Sequence, residues 1–295
     1  MNTKQWAAFI FLTFIWGASF LWIKIAVQEV SPLIVVTLRL FMALLALVVF
    51  LVIRKPGVPR GWRLWGVLML QGLLSTAIPW LLITWAEKSI DSALATVLNA
   101  TVPLFTIVIA HFFLTDDRVT SRRIVGLLIG FVGVFVLVHE EFIAGWSAKE
   151  GVVSLALLGQ GAMLLASASY GISNVYARVK LRGAAPIVQA FYTMLLADAV
   201  MWIVTPVIEP GFTLPKKTLT WVAITWLGML GAGVCYLIFY HLLHSIGPTR
   251  VATVTYMVPV VGVTLGVVFL DEKLDWTMVI GTILIVSGVW HVNRK

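Results

Sequence analysis

The chemistry open to this chain begins with two charges in apolar surroundings. Arg39 lies seven residues into an apolar run that starts near Pro32, and Asp198 lies twelve residues past Pro186 in another. At the helical rise, Arg39 sits about 10 Å below the near end of its run and Asp198 about 18 Å from the start of its own. A hydrocarbon core of ~30 Å then leaves Asp198 about 12 Å from the far side, close to the depth of Arg39. A charge at that depth costs at least a few kcal/mol unless it is satisfied. Arg39 either reaches headgroups and helix carbonyls, or it clamps an anion such as a carboxylate, or it serves a gate. Asp198 pairs with Arg39, carries a proton, or lines a solvated wall.

Two further polar residues each stand four positions before a proline: Asn99 before Pro103 and Thr255 before Pro259. Proline cannot donate to the carbonyl four residues back, so each leaves an acceptor free and bends its helix. In a bilayer a freed carbonyl takes its partner from a neighbouring helix, a water-filled cavity or a solute. Asn99, Thr255 and these acceptors suit an ammonium group, with hydrogen bonding between helices as the alternative reading. Trp16, Trp80, Tyr170, Tyr236 and Tyr256 lie deep in apolar runs, where they stack a flat or cationic solute or pack against neighbours. Trp85 and others near run ends read as interfacial anchors. With Ser19, Asn174 and Tyr240 added, the candidate binding set is Trp16, Ser19, Arg39, Trp80, Asn99, Tyr170, Asn174, Tyr236, Tyr240, Thr255 and Tyr256, with Asp198 as the proton-coupling candidate.

Other patterns carry less. His111 and Asp116 spell His-x4-Asp, a spacing associated with acyl transfer, but residues five apart on a helix do not stack well. His241 and His244 share a face without a third ligand, and Cys235 is the only cysteine, so no disulfide and no metal or cofactor site is expected. No Gly-x4-Gly-Lys loop is present, which excludes nucleotide drive within this chain. No catalytic residues are assigned.

The elements that hold these residues are membrane spans. Hydrophobic residues make up 60% of the chain, charged residues 12%, and mean hydropathy is +1.00. Ten apolar runs are read at 6–27, 32–53, 64–86, 91–114, 121–138, 152–177, 186–208, 218–243, 249–270 and 275–292, numbered here as spans 1 to 10. The first continues to Ile23 and has a counterpart later, so it reads as a retained span rather than a cleaved leader. The net charge of +8 is spread over short loops and does not form a nucleic-acid footprint.

The chain repeats itself. Ser89 to Pro103 resembles Ser245 to Pro259, and Trp16-Gly17-Ala18-Ser19 aligns with Tyr170-Gly171-Ile172-Ser173 at an offset of 154. Arg39 falls opposite Thr193 at the same offset, while Trp65 and Gly72 match Trp221 and Gly228 at 156. Gly126 and Gly133 match Gly281 and Gly288. Each half holds five spans, an odd number, so the second half enters the membrane from the opposite side. The fold expected is all-α, ten transmembrane helices as two inverted five-helix repeats, residues 1–144 and 145–295. Charge agrees: 14 of the 21 Lys and Arg residues fall on the side of both termini, 6 on the other, and Arg39 lies within a span. The positive-inside rule places both termini in the cytoplasm. Gly126-x3-Gly130 and Gly262-x3-Gly266 allow close helix packing, within the chain or in a homodimer, so monomer and homodimer both stand.

Trp16-Gly17, Arg39, Pro103 with Phe113-Leu114, and Phe269-Leu270-Asp271-Glu272 together resemble the EamA-type drug/metabolite transporters, bacterial inner-membrane proteins with two five-span repeats. Thr115-Asp116-Asp117 departs from the family's Phe-Leu-x-Glu ending in the first half. The resemblance implies a multi-pass exporter of small metabolites, often amino acids, working by alternating access. Coupling would be to protons or by exchange. A membrane-embedded enzyme and a lipid flippase are the alternatives.

Overall fold

A computed structural model describes residues 3–54, 58–114, 120–147, 154–246 and 254–293, with backbone alone at 54, 122, 141, 142, 144–147, 240, 241, 243–246, 255, 256, 292 and 293. All regular structure among them is helical. Eight stretches are long and apolar enough to cross a membrane, and two shorter apolar helices, Met257–Leu270 and Trp276–His291, stand at spans 9 and 10. The chain is an all-α, multi-pass membrane protein.

Local chemistry sets the span starts. Pro32 opens span 2 (Pro32–Arg54), where its missing N–H needs no partner, and the Ser31 hydroxyl accepts the Ile34 N–H at 3.3 Å. Ser154 caps span 6 (Leu155–Lys180) by accepting the Leu157 N–H at 3.0 Å. Asp275 caps span 10 (Trp276–Asn293) by accepting the Met278 N–H at 2.6 Å. Span 1 is Thr3–Ala26 and span 7 is Pro186–Ile208. Span 5, Ser121–Ser147, stays helical for two turns beyond its apolar run.

Three spans are irregular. Span 3 runs Trp62–Gly72, widens to a π-helical stretch over Leu73–Ala77, and resumes as Ile78–Ala86. Pro79, which has no N–H for the carbonyl of Ser75, stands two residues past the end of that wide stretch. Span 8 does the same: Thr218–Thr225, a π-helical Trp226–Val234, then Cys235–Ile246. Gly228, Gly231 and Gly233 weaken regular helix there. Span 4 breaks at Ala100–Thr101 between Ser92–Asn99 and Val102–Phe113, with Pro103 in the first turn of the new helix. Span 9, Val254–Leu270, runs through Pro259 as one helix. The two prolines therefore act unequally: Pro103 restarts a helix, and Pro259 sits inside one.

Neighbouring spans form a closed ring. Span 1 packs on spans 8 and 9, span 8 on span 2, span 2 on span 7, span 7 on span 3, span 3 on span 6, span 6 on span 4, and span 4 on span 9. Spans 5 and 10 pair with each other beside it. Small residues permit the closest approaches. A Cβ on Gly17 would lie 2.5 Å from the Cβ of Val261, and one on Gly171 would lie 3.0 Å from that of Phe105. At Gly228 it would lie 2.6 Å from the Arg39 carbonyl oxygen, and at Gly72 it would run into the Thr193 carbonyl. Large apolar side chains such as Ile10, Val52, Phe135, Ile203 and Val207 point outward, while Thr13, Gln71, Thr76, Gln160 and Ser167 are buried. That distribution suits a lipid surround.

Candidate functional site

Span 2 carries Arg39 inward, 7% exposed, with its guanidinium carbon 3.8 Å from the centroid of the Trp80 ring on span 3. Trp80 hydrogen-bonds to Tyr170 of span 6, and Tyr170 and Tyr236, the latter from span 8, both face the Arg39 charge. Trp16 of span 1 meets Tyr236 edge-on at 6.3 Å and Phe239 at 5.6 Å. Its indole N–H donates to the Gly231 carbonyl at 3.0 Å. That carbonyl lies in the π-helical stretch of span 8, where helix carbonyls are poorly matched to their own ladder. Trp80 and Tyr236 each stand within three residues of the end of a π-helical stretch, so the two irregular spans aim their aromatics at one arginine.

The cluster is a caged cation. Stacking on an indole leaves the edge of a guanidinium available to a planar anion. The Nε of Arg39 is buried without a hydrogen-bond partner among the described residues. Five of the sequence candidates meet here: Trp16, Arg39, Trp80, Tyr170 and Tyr236. Gln71, nine residues before Trp80 on span 3, was missed, although a glutamine in an apolar run is itself a signal. It is buried, its amide donates to Ser173 Oγ at 2.9 Å, and its Oε1 lacks a partner among the described residues.

Other candidates fall elsewhere. Asn99 is half-buried beside the break in span 4, and its Oδ1 is unpartnered among the described residues. The acceptor served at that break is the Leu98 carbonyl, which takes the Thr101 N–H at 3.1 Å, the Thr101 hydroxyl at 2.6 Å and the Ser167 hydroxyl of span 6 at 3.3 Å. Ser19 donates to Ile15 of its own helix at 3.0 Å. Asn174 is exposed and donates to Thr106 Oγ1 at 3.2 Å, tying span 6 to span 4. The side chains of Tyr240, Thr255 and Tyr256 lie outside the described residues, as do those of His241 and His244 and the whole of Asp116. Both small-residue motifs face neighbours within the chain. A Cβ on Gly130 would meet the Leu104 side chain at 2.5 Å, and one on Gly262 would meet Thr96.

Asp198 and Arg39 are not level. Thr37 and Thr205 meet at 2.8 Å across spans 2 and 7 and fix the register. From that contact Asp198 lies seven residues deeper, about 10 Å, and Arg39 two residues deeper, about 3 Å. Depth measured from the ends of the apolar runs missed this offset. No ion pair joins them among the described residues. Asp198 instead bonds Trp202, whose ring meets Phe41 edge-on at 6.3 Å. Phe41 is two residues from Arg39, on the opposite side of span 2.

The end of the bundle away from both termini, the distal end, is tied by side chains. Lys24 Nζ donates to the carbonyls of Glu87 at 2.8 Å and Ile90 at 2.7 Å. Glu272 accepts the N–H groups of Ser92 at 2.7 Å and Ala93 at 2.9 Å, capping span 4 from the loop after span 9. Glu29 accepts the Lys216 and Lys217 N–H groups at 2.6 and 2.9 Å, and the Thr220 hydroxyl, capping span 8. Ser31 donates to Glu209 at 2.6 Å. The Thr220 hydroxyl, aided by the Lys217 and Lys216 N–H groups, holds the Glu29 carboxyl below its ordinary value of 4.5. A cleft of about 410 Å³ opens beside this end, lined by Leu33, Leu81, Leu82, Trp85, Lys88 and Glu209 among others.

These features define a polytopic helical membrane protein that encloses a polar and aromatic cluster. The chain belongs to the EamA-like transporter family, whose model matches residues 4–139 and again 157–294. It is similar to the uncharacterized transporter YoaV of Bacillus subtilis, 25% identical over 97% of this chain and 96% of that one. The uncharacterized inner membrane transporter YedA of Escherichia coli is 27% identical, over 96% and 91% of the two chains. A probable amino-acid metabolite efflux pump of Escherichia coli is 25% identical, over 98% and 95%. A solved crystal structure 18% identical in sequence shares the fold, with a TM-score of 0.68 over 99% of this chain and 98% of that one.

Proposed function

We propose that this chain carries small amphipathic metabolites, amino acids or their relatives, out of the cell, and that the Arg39 cluster is where it holds them. The observation that carries this reading is the buried guanidinium stacked on Trp80 and faced by Tyr170 and Tyr236. A carboxylate would dock on the free edge of Arg39, and the aromatic walls would take the apolar part. The efflux pump among the relatives supports this substrate class. No chemical transformation is part of the reading. The bilayer in question is the bacterial inner membrane, with both termini cytoplasmic by the distribution of Lys and Arg.

The mechanism proposed is alternating access between two inverted repeats, residues 1–144 and 145–295. Paired contacts support it. Gly17 against span 9 corresponds to Gly171 against span 4, and Gly228 against Arg39 corresponds to Gly72 against Thr193, each at the repeat offsets. The π-helical stretches also correspond, as do Trp80 and Tyr236. The ties at the distal end support a reading in which that side is closed and access comes from the side of the termini.

Counterflow tests the reading. Purified protein is reconstituted into liposomes loaded with a mixed amino-acid pool, and labelled amino acids are offered one at a time. Saturable exchange by the wild type, lost in Arg39→Gln, supports the proposal. Absence of exchange with every amino acid, from protein shown to be folded, overturns it.

A further inference from the structure

Glu87 follows the last helical residue of span 3 and is 0% exposed. Both of its carboxyl oxygens are buried without a hydrogen-bond partner among the described residues. Lys24, the nearest evident counter-ion, spends its ammonium on two backbone carbonyls, one of them that of Glu87 itself. The other carboxylate nearby, Glu272, is fully engaged by the start of span 4. The charged groups that face Glu87 are Lys24 from span 1, Glu272 from the loop after span 9, and Arg39 from span 2. No ion pair to Glu87 forms among the described residues.

An ionised carboxylate without hydrogen bonds or a paired cation is among the costliest groups a protein interior can hold. Its protonated form is far cheaper. Glu272 and Glu87 thus differ at one end of the bundle: Glu272 accepts two N–H groups and a hydroxyl, and Glu87 has no donor among the described residues. Burial pushes the Glu87 carboxyl well above the ordinary carboxylate range, Lys24 opposes this, and Glu272 adds to it. Lys24 on the loop carbonyls and Glu272 on span 4, both of which face Glu87, are among the contacts that tie the distal end.

We propose that Glu87 is a proton-binding site of the carrier, protonated while the distal end is closed and ionised when that end opens to water. This rests on the transporter reading above for its role in transport, though not for the protonation itself. The balance is simple: Glu87–COOH releases one proton to the distal solution on opening and regains one on closing. Acid on the distal side therefore favours closure. Arg39 faces the Glu87 charge, which lets the proton state of Glu87 act on the charge of the binding cluster.

Infrared difference spectroscopy of the full chain in lipid tests this directly. The wild-type spectrum minus that of Glu87→Gln at pH 7 is expected to contain the carbonyl stretch of a protonated carboxylic acid. Glu87→Asp should shift that band rather than delete it, which guards against a misfolded glutamine variant. A difference spectrum with only carboxylate bands overturns the proposal. Where an exchanged substrate is found, the ratio of exchange rates at pH 8 and pH 6 should move toward one in Glu87→Gln, and an unchanged ratio counts against a role in transport. If no substrate is exchanged, the carrier reading falls while the infrared band still decides Glu87.

Discussion

Replacing Gly228 by alanine puts a methyl group where span 8 meets the backbone of span 2. The new Cβ would stand 2.4 Å from the Met42 Cβ and 2.6 Å from the Arg39 carbonyl oxygen, against an ordinary contact of 3.4 Å or more, so the helices must separate by about 1 Å at that point. The obstacles are backbone atoms and a Cβ fixed to the backbone, with no flexible side-chain end to swing aside. Overpacking of this kind costs about 1–3 kcal/mol, roughly a 5- to 150-fold loss in the folding equilibrium. The buried Cys235, seven residues on, supplies the assay. A thiol-reactive dye reports unfolding of the detergent-purified protein without any introduced label. Gly228→Ala should unfold at a clearly lower temperature than the wild type. Gly161→Ala is the control: nothing lies within 4 Å of its Cβ, and alanine is the better helix former by about 1 kcal/mol. It should match or exceed the wild type. A Gly228→Ala protein as stable as the wild type would refute the close approach of spans 2 and 8, and with it the placement of Arg39.

Other changes follow from the same geometry. Trp80→Leu removes the surface on which Arg39 stacks; a desolvated cation–π contact is worth about 2 kcal/mol, so roughly a 30-fold loss of substrate affinity is expected in equilibrium binding. Glu272→Gln weakens the cap on span 4, and an Ala93→Cys reporter should then react faster with a membrane-impermeant maleimide. Glu29 has a depressed pKa, so its contribution to stability is present above 4.5 and lost as pH falls through its lower folded value. Hydrogen exchange at residues 216–220 should accelerate over that acidic range in the wild type and be fast throughout in Glu29→Gln. Asp198→Asn, whose side chain bonds Trp202 away from the cluster, should leave the pH dependence of exchange unchanged.

Much of this architecture was legible in the sequence because lipid allows few solutions. Long apolar runs must be helices, and the matched glycines Gly17 and Gly171, and Gly72 and Gly228, marked positions with corresponding contacts. Trp16, Trp80, Tyr170 and Tyr236 were recognisable as large polar-tipped rings too deep for an interfacial belt. What was not legible depended on register and irregular backbone. The π-helical stretches leave no compositional mark beyond Pro79 and three glycines, yet they orient Trp80 and Tyr236. The mismatch in depth between Arg39 and Asp198 came from counting residues from run ends, whereas the Thr37–Thr205 contact sets the real alignment. Glu87 was overlooked because Glu87-Lys88 reads as a charged pair at a span end, where solvent is the default expectation. Only the fold shows that it is fully buried, with Lys24 and Glu272 facing it.

The central claim is that Arg39 holds a substrate carboxylate inside an aromatic cage. Its most direct test is a comparison of binding constants for the exchanged amino acid and its amide, in the wild type and in Arg39→Gln. A charged hydrogen bond to the carboxylate is worth about 1.5–3 kcal/mol, so the wild type should prefer the acid by roughly 10- to 150-fold. Arg39→Gln should bind the two alike. A preference of the same size in both proteins would contradict the account and place the carboxylate elsewhere.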